Sequence, residues 1–118
     1  MGVDPNVAII GAGPAGLMAA EVLLEKGIAV DIFEAKPTIG RKLLMAGKSG
    51  LNITHTENFK LFLSRFSAQF NTLENSIRSF TPTMLQQWTS NLGIETFEGS
   101  SKRVFPREMK ASPFLRKW

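Results

Sequence analysis

The first third of the chain has the hydrophobic pattern of a strand, a helix and a second strand. Residues 6–10 form a short apolar run rich in β-branched side chains, which predicts a buried strand. Pro14 stands where a first helical turn tolerates proline, and residues 15–26 are rich in good helix formers, so we expect a helix that stops at Gly27. Residues 29–33 predict the second strand. Together these elements make one βαβ unit, and the fold class is α/β with parallel strands.

The middle of the chain predicts a loop followed by helices. Pro37 and Gly40 open a loop that runs to His55 and contains one helical turn at 42–45. Residues 57–70 and 72–80 carry apolar side chains at three- and four-residue spacings, and these spacings predict two helices.

The last third predicts a helix, a hairpin and the start of another helix. Thr81 is a good N-cap and is followed by proline, so a helix should begin there and end before Gly93. Residues 94–98 and 103–105 flank a glycine- and serine-containing turn, which indicates a β-hairpin. Ser112, again followed by proline, predicts one more helix start.

The predicted sheet is incomplete. A doubly wound sheet needs three or more parallel strands to have both faces covered, and only two convincing ones are present. We therefore expect the chain to be a fragment of a longer protein. Self-association through an incomplete core is the other expectation, because uncovered apolar surface promotes it.

Composition and charge narrow the possible functions. The chain has 118 residues, no cysteine and a formal charge of +4. The lack of cysteine excludes a disulfide scaffold and a thiolate metal site, and it favours a reducing compartment, here the cytoplasm. Residues 102–118 carry six bases and one acid, and residues 35–56 carry four bases and no acid. Aromatic side chains are not interleaved with these bases as stacking platforms require, so nucleic acid is not an expected partner.

One stretch resembles a membrane or signal segment in outline. Residues 7–24 contain a single charged side chain, Glu21. The run is broken by Gly11, Gly13, Pro14 and Gly16, and no basic cluster precedes it. A strand that leads into a buried helix explains the same hydropathy, so no membrane association is expected.

The turn between the first strand and the first helix carries a nucleotide-binding motif. Its sequence is Gly11-Ala12-Gly13-Pro14-Ala15-Gly16, which has the G-x-G-x-x-G spacing. In this fingerprint the first glycine permits a tight turn, the second lets a pyrophosphate approach the backbone, and the third lets helix and strand pack closely. Free N–H groups and the positive end of the helix dipole then hold the phosphates. The motif predicts a Rossmann-like dinucleotide site, with a purely structural turn as the alternative.

An acidic residue stands where such folds bind a ribose. Glu34 lies eighteen residues beyond Gly16, at the end of the second strand. Its carboxylate can accept hydrogen bonds from both ribose hydroxyls and would repel a 2′-phosphate, so FAD or NAD fits better than NADP. Arg41 and Lys42 follow and can neutralise pyrophosphate charge, which favours FAD over NAD. Solvated surface charge is the alternative for these two cations.

Three segments resemble one protein family. The motif at residues 11–16, the block GRKLLMAGKSGLNITH at residues 40–55 and RVFP at residues 103–106 resemble the BaiN-like family of bacterial NAD(P)/FAD-dependent oxidoreductases. The middle block is the specific signal, because many flavoproteins share the first motif. The resemblance implies a flavoprotein that binds FAD, takes electrons from NAD(P)H and passes hydride to a small-molecule acceptor that the sequence does not identify.

Members of that family are several times longer than this chain. The resemblance therefore implies that residues 1–118 are the N-terminal part of an FAD-binding domain and are inactive by themselves. Within it we expect the βαβ unit and flavin loop at 1–56, a helical segment at 57–93, and the hairpin with the start of a helix at 94–118.

The resemblance also implies which residues contact the cofactor. The glycine-rich turn would face the pyrophosphate through Gly11, Gly13, Pro14, Ala15 and Gly16. The adenosine end would meet Glu34 and Ala35, the middle of the cofactor Arg41 and Lys42, and the flavin Gly50, Asn52 and Thr54. For Asn52 and Thr54, closing the loop is an equally open role. No catalytic residue or metal ligand is assigned, and His55, the single histidine, is expected to be structural.

Two other functions stay open at this point. The chain could be an NAD-binding dehydrogenase module without flavin, or a truncated dinucleotide-binding chain without catalytic activity. Replacing Gly13 with a bulky residue separates these possibilities from a structural turn, because only dinucleotide binding should suffer.

Overall fold

The structure is a computed structural model, and it describes residues 6–66 and 70–118. The elements in chain order are β1 (Asn6–Ile10), α1 (Pro14–Glu25), β2 (Ala29–Phe33), α2 (Arg41–Ala46), β3 (Thr54–His55), α3 (Phe59–Ser64), α4 (Phe70–Ser79), α5 (Pro82–Asn91), β4 (Thr96–Glu98), β5 (Arg103–Pro106) and α6 (Ala111–Lys117). The chain forms two compact units, Met1–Met45 and Ala46–Trp118. The division into segments 1–56, 57–93 and 94–118 stays a prediction.

The first unit contains the predicted βαβ unit. Strands β1 and β2 are parallel and in register from Asn6 opposite Ala29 to Ile10 opposite Phe33. Helix α1 connects them and has its proline at the first helical position, as predicted. Gly27 follows the helix with a φ of 72°, a left-handed conformation that favours glycine at a helix end. The α/β fold class with parallel strands is confirmed.

The expectation that β1 is a buried strand is wrong for the described part of this unit. Asn6, Ala8 and Ile10 are exposed and Val7 and Ile9 are half-buried. The half-buried residues share one face, because side chains alternate along a strand, and that face lies against α1. The opposite face presents Ile10, 83% exposed, beside its exposed strand partner on β2.

The second unit contains a three-stranded antiparallel sheet in the order β3–β5–β4. The predicted hairpin is confirmed by β4 and β5, which pair from Thr96 opposite Pro106 to Glu98 opposite Val104. Strand β3 lies in the segment that the sequence predicted to be a loop. Its two residues pair with β5, and so short a pairing leaves no alternation to recognise. Val104 is 1% exposed and lies at the centre of the core of this unit.

The first predicted helix of the second unit differs from α3 at both ends. The prediction ran over residues 57–70, whereas α3 begins two residues later because Asn58 caps it. The Oδ1 atom of Asn58 accepts the N–H of Lys60 at 3.0 Å and that of Leu61 at 3.4 Å. An N-cap has non-helical backbone angles, so the helix cannot extend through it. The part of the prediction at residues 67–69 lies outside the described residues.

Other helix boundaries fall within two residues of their predicted places. Helix α2 extends the predicted turn at 42–45 by one residue on each side, and α4 begins two residues before residues 72–80. The cap of α5 is confirmed, because the hydroxyl of Thr81 accepts the N–H of Met84 at 3.2 Å. Helix α6 begins at Ala111, so Ser112 lies inside it rather than capping it. Within the described residues, no helix has the length and apolar character needed to cross a bilayer.

Candidate functional site

The turn after β1 continues the hydrogen bonding of the sheet into the glycine motif. The N–H of Gly11 donates to the carbonyl oxygen of Phe33 at 2.7 Å. Gly11 has a φ of 104°, which L side chains rarely adopt, so glycine is needed here for its backbone conformation. The tight turn that the first glycine was predicted to permit is present.

The other two glycines of the motif have different surroundings. A Cβ atom added to Gly16 would collide with the carbonyl oxygen of Gly11 and would lie 3.2 Å from Cγ2 of Ile9. A Cβ atom added to Gly13 would meet no heavy atom within 4 Å. Gly16 is therefore required by packing between helix and strand. At Gly13 the protein leaves open space beside the backbone, as a pyrophosphate site requires.

The N-terminal turn of α1 offers backbone donors to this space. The first hydrogen bond of the helix runs from the N–H of Leu17 to the carbonyl of Gly13 at 2.9 Å. Helix geometry therefore leaves the N–H groups of Ala15 and Gly16 without an intrahelical acceptor, and Pro14 has no N–H. No acidic residue lies in this first turn, and no side chain caps it. Donors and helix dipole together favour an anion at this position.

Glu34 points toward the glycine turn and is bonded to it. Its Oε2 atom accepts the N–H of Ala12 at 2.9 Å, and its Oε1 atom accepts the N–H of Lys36 at 2.9 Å. These two hydrogen bonds, that from Ala12 first, lower the pKa of Glu34 below its ordinary value of 4.5, and the N–H of Ala35 lowers it further. The carboxylate is therefore ionised at neutral pH. Each oxygen retains a second lone pair that can accept from a ribose hydroxyl.

The glycine turn, the end of β2 and the start of α2 enclose a pocket of about 460 Å³. Its lining consists of Ala12, Gly13, Pro14, Glu34, Lys36, Gly40, Arg41, Lys42 and Met45. Five of these nine residues were predicted as cofactor contacts, and the structure brings them together. The predicted residues Gly11, Ala15, Gly16 and Ala35 belong to the same turn and strand end but do not line the pocket. Their roles in cofactor binding stay a prediction.

The sequence reasoning missed four lining residues. These are Ala12, Lys36, Gly40 and Met45. The signal for Met45 was present, because it lies four residues after Arg41 on the same helix face. The sequence indicated Gly40 only as a loop residue. It adopts a φ of 61°, its N–H donates to the carbonyl of Ala12 at 2.8 Å, and its carbonyl accepts the N–H of Leu44 at 2.9 Å.

The two predicted cations lie at the rim of this pocket. Arg41 and Lys42 are exposed in the first turn of α2. Among the residues that the structure describes, no carboxylate forms an ion pair with either of them. Both charges are thus available to a bound anion, although their exposure to water weakens each interaction.

The predicted flavin contacts Gly50, Asn52 and Thr54 lie in the second unit. The amide nitrogen of Asn52 donates to the carbonyls of Thr54 at 2.8 Å and of Val104 at 3.1 Å. Thr54 is 9% exposed within β3. These contacts show the loop-closing role for Asn52. The flavin contacts of all three residues stay a prediction.

Gly50 has structural reasons to be glycine. Its φ is 132°, and an added Cβ atom would lie 2.9 Å from Cε of Met109. The adjacent N–H of Leu51 donates to the carbonyl of Met109 at 2.9 Å. The backbone here therefore packs against the turn before α6.

His55 is in contact with Glu57, the one carboxylate that the sequence placed near it. Its Nδ1 atom accepts the N–H of Glu57 at 3.2 Å and lies 3.7 Å from the carboxylate of the same residue. Arg65 binds both carboxylate oxygens of Glu57 at 2.6 Å, which holds the pKa of Glu57 below its ordinary value. In the described part of the chain, no group of three His, Asp or Glu side chains is placed to hold a metal ion.

Comparison with known proteins identifies the family. The family described as HI0933-like protein Rossmann domain matches residues 5–118, which is nearly the whole chain. The chain belongs to this family. HI0933-like proteins are FAD-binding oxidoreductases with a Rossmann domain, in agreement with the parallel strand pair and glycine turn of the first unit.

Individual relatives match parts of this HI0933-like chain. It is 34% identical over 82 residues to the thiamine thiazole synthase of Pyrobaculum aerophilum, covering 70% of the chain and 31% of the relative. It is 55% identical over 38 residues to AegA of Escherichia coli strain K12, which is named as an oxidoreductase. This match covers 32% of the chain and 6% of the relative. It is 47% identical over 49 residues to the ribosomal RNA dihydrouridine synthase of Haemophilus influenzae, covering 42% and 12%. The chain thus spans at most about a third of the length of these relatives.

Proposed function

We propose that this chain supplies the site for the ADP half of FAD in a flavin-dependent oxidoreductase. The observation that carries the proposal is the open space at Gly13 beside the ionised carboxylate of Glu34. The extended backbone of Gly13 does not require glycine, and the missing side chain leaves room for a phosphate at the start of α1. Membership in an FAD-binding family supports the choice of FAD.

Each residue of the site has a role that follows from its chemistry. The N–H groups of Ala15 and Gly16 donate to pyrophosphate oxygens, and Gly13 lets the phosphates reach the backbone. Glu34 accepts hydrogen bonds from the ribose hydroxyls through its remaining lone pairs. Arg41 and Lys42 offset the phosphate charge. Ala35 lies at the adenosine end.

FAD would supply hydride-transfer chemistry, while the chain binds and orients it. Three finer points belong to the same proposal: membership in the BaiN-like group, NAD(P)H as electron donor, and a small-molecule acceptor. They are supported by the resemblance of residues 40–55 to that group. The carboxylate of Glu34 supports a ribose without a 2′-phosphate in the bound half, because it would repel one.

The proposal is tested by measuring FAD, ADP and NAD binding to the chain calorimetrically. We compare Gly13→Leu with Ala19→Leu, which adds the same side chain at an exposed position of the same helix. We expect Gly13→Leu to weaken FAD and ADP binding at least about tenfold, because the side chain fills the phosphate space, and Ala19→Leu to bind like the parent.

Three results would count against the proposal. The first is that the parent chain does not bind ADP. The second is that Gly13→Leu and Ala19→Leu bind FAD and ADP equally well. The third is that the parent binds NAD more tightly than FAD. The last result would favour an NAD-dependent module without flavin. ADP binding without FAD binding would indicate a chain that holds nucleotides but lacks the flavoprotein function.

A second candidate for the acceptor is uridine in RNA. The Haemophilus influenzae relative is named a ribosomal RNA dihydrouridine synthase and is 47% identical over the 49 residues matched. Residues 102–118, with six bases and one acid, give this candidate a basic segment that attracts a polyanion. If uridine in RNA is the acceptor, the expectation that nucleic acid is not a partner is wrong. Incubating the FAD-loaded protein, extended beyond residue 118 to the length of its relatives, with NADPH and unmodified ribosomal RNA tests it. Dihydrouridine in the RNA digest supports this candidate, and unchanged uridine counts against it.

A further inference from the structure

A second pocket lies entirely within the second unit and has no part in the proposed FAD site. It has a volume of about 380 Å³, within the range of small-molecule sites. It is formed where the end of β3 and the segment leading into α3 approach the first turn of α5. The lining residues are His55, Thr56, Glu57, Phe59, Thr81, Pro82, Thr83 and Gln86.

The pocket is balanced in charge. Its one carboxylate, Glu57, has a side chain that is only 5% exposed and is bound at both oxygens by Arg65. The carboxylate is therefore committed to the guanidinium and cannot also bind a cationic ligand strongly. No lysine or arginine is part of the lining, so an anion finds no formal positive charge there. The pocket therefore favours an uncharged ligand.

Hydrogen-bonding groups remain open on two sides of the pocket. Because Nδ1 of His55 accepts the N–H of Glu57, the proton of the neutral ring is on Nε2, which is a donor. The amide nitrogen of Gln86 donates to the carbonyl of Pro82 at 3.3 Å, which leaves Oε1 of Gln86 as an acceptor. One donor and one acceptor together match the carbonyl and the N–H of an amide.

The remaining wall of the pocket is apolar. Phe59 and Pro82 contribute apolar surface to the lining. The guanidinium carbon of Arg78 lies 5.8 Å from the centroid of the Phe59 ring, and the ring of Phe62 stacks at 6.5 Å. These neighbours hold Phe59 in place, so Phe59 and Pro82 form a fixed apolar wall.

We propose that this pocket binds an uncharged planar ring that carries an amide or imide group. The carbonyl of the amide or imide accepts from Nε2 of His55, its N–H donates to Oε1 of Gln86, and the ring packs against the apolar wall of Phe59 and Pro82. Two sources provide this chemistry, a nicotinamide and a uracil. The site does not depend on the FAD proposal, because its residues belong to the second unit and its ligand can be tested without flavin.

The test is an NMR titration of the ¹⁵N-labelled chain with nicotinamide, with uracil, and with benzoate as a charged ring of similar size. We expect saturable binding of one or both amide rings with a dissociation constant on the order of 1 mM, typical for so small a ligand. The largest shift changes should occur at the His55 ring nitrogens and the Gln86 side-chain amide. Saturation by nicotinamide or by uracil only would identify the source.

Matched variants localise the ligand. Gln86→Leu should weaken binding about five- to tenfold, the effect of one lost hydrogen bond, whereas Gln87→Leu, at the exposed neighbouring position, should bind like the parent. If Gln86→Leu does not fold, the chemical-shift changes of the parent protein show whether the ligand binds in this pocket. The proposal is overturned if neither ring saturates, if benzoate binds as tightly, if the shifts lie elsewhere, or if Gln86→Leu binds like the parent. Gly13→Leu should leave this titration unchanged, so the two proposals can fail separately.

Discussion

The carboxylate of Glu34 accepts the N–H of Ala12 at 2.9 Å, across 22 positions of sequence. The carbonyl of Ala12 in turn accepts the N–H of Gly40, so this buried residue joins the glycine turn to the end of β2 and to the start of α2. The acid that the sequence assigned to a ribose therefore also holds the phosphate-binding turn in shape. Binding and local stability depend on the same side chain.

A pH dependence of stability follows from this hydrogen bond. The folded-state pKa of Glu34 is below the ordinary value of 4.5, so the folded state binds fewer protons than the unfolded state near that pH. The stabilisation is present above the unfolded-state pKa and is lost as pH falls through the folded-state pKa. We expect Glu34→Gln to lower the melting temperature at pH 7, and this effect to become smaller as the pH falls through the folded-state pKa, because Glu34 itself then becomes neutral.

Thermal melts followed by circular dichroism check this expectation. Glu57 also has a lowered pKa, but it is present in both proteins, so its contribution cancels in the comparison. A difference between parent and variant that stays equally large as the pH is lowered would show that the charge of Glu34 does not matter to the turn.

The parts of the fold that the sequence predicted correctly are governed by local chemistry. Gly11 needs a left-handed backbone and Thr81 needs a cap partner three residues on, and both requirements can be read within a short window. Strand β3 was missed because its pairing with β5 spans about fifty positions and involves only two residues. Likewise, the hydrogen bonds of Asn52 to distant and nearby carbonyls could not be distinguished from a ligand contact without the tertiary structure.

The glycine motif separates into a packing position and a binding position, and stability measurements should show it. Gly16→Ala places a Cβ atom against the carbonyl oxygen of Gly11, so backbone must shift, and we expect a loss of about 1–3 kcal/mol in the free energy of unfolding. Gly13→Ala enters open space at a helix N-cap, and we expect a change of a few tenths of a kcal/mol, roughly 0.5 at most. Urea denaturation of the two variants measures both values. Equal losses would mean that the space at Gly13 is not open in solution.

Two ion pairs of the second unit should differ in strength. Arg65 binds the nearly buried carboxylate of Glu57 through two hydrogen bonds, whereas Arg78 pairs with the more exposed Glu74 one helical turn away. Arg65→Met leaves a carboxylate with little access to water, so we expect a clear loss of stability at neutral pH and a rise in the pKa of Glu57. Arg78→Met should cost only about 0.3–0.5 kcal/mol, the usual contribution of an exposed pair at this spacing.

Urea denaturation ranks the two variants, and an NMR titration of the Glu57 carboxyl carbon follows its pKa. High salt should reduce the effect of the Arg78 pair more than that of the Arg65 pair, because exposed charges are screened more effectively. Equal destabilisation by the two substitutions, with an unchanged pKa of Glu57, would contradict this ranking.

The turn between β4 and β5 offers a stabilising substitution. Lys102 has a φ of 63°, and its N–H donates to the carbonyl of Gly99 at 2.9 Å. A left-handed conformation costs a non-glycine residue about 1–2 kcal/mol, and glycine adopts it without that cost but loses about 0.4–1 kcal/mol of chain entropy on folding. We therefore expect Lys102→Gly to raise the free energy of unfolding by about 0.5–1 kcal/mol in urea denaturation. Ser101 lies one position earlier and has no positive φ, so Ser101→Gly has no strain to relieve and should lower the free energy of unfolding. If both substitutions raise the free energy of unfolding, the left-handed residue is not the source of the effect.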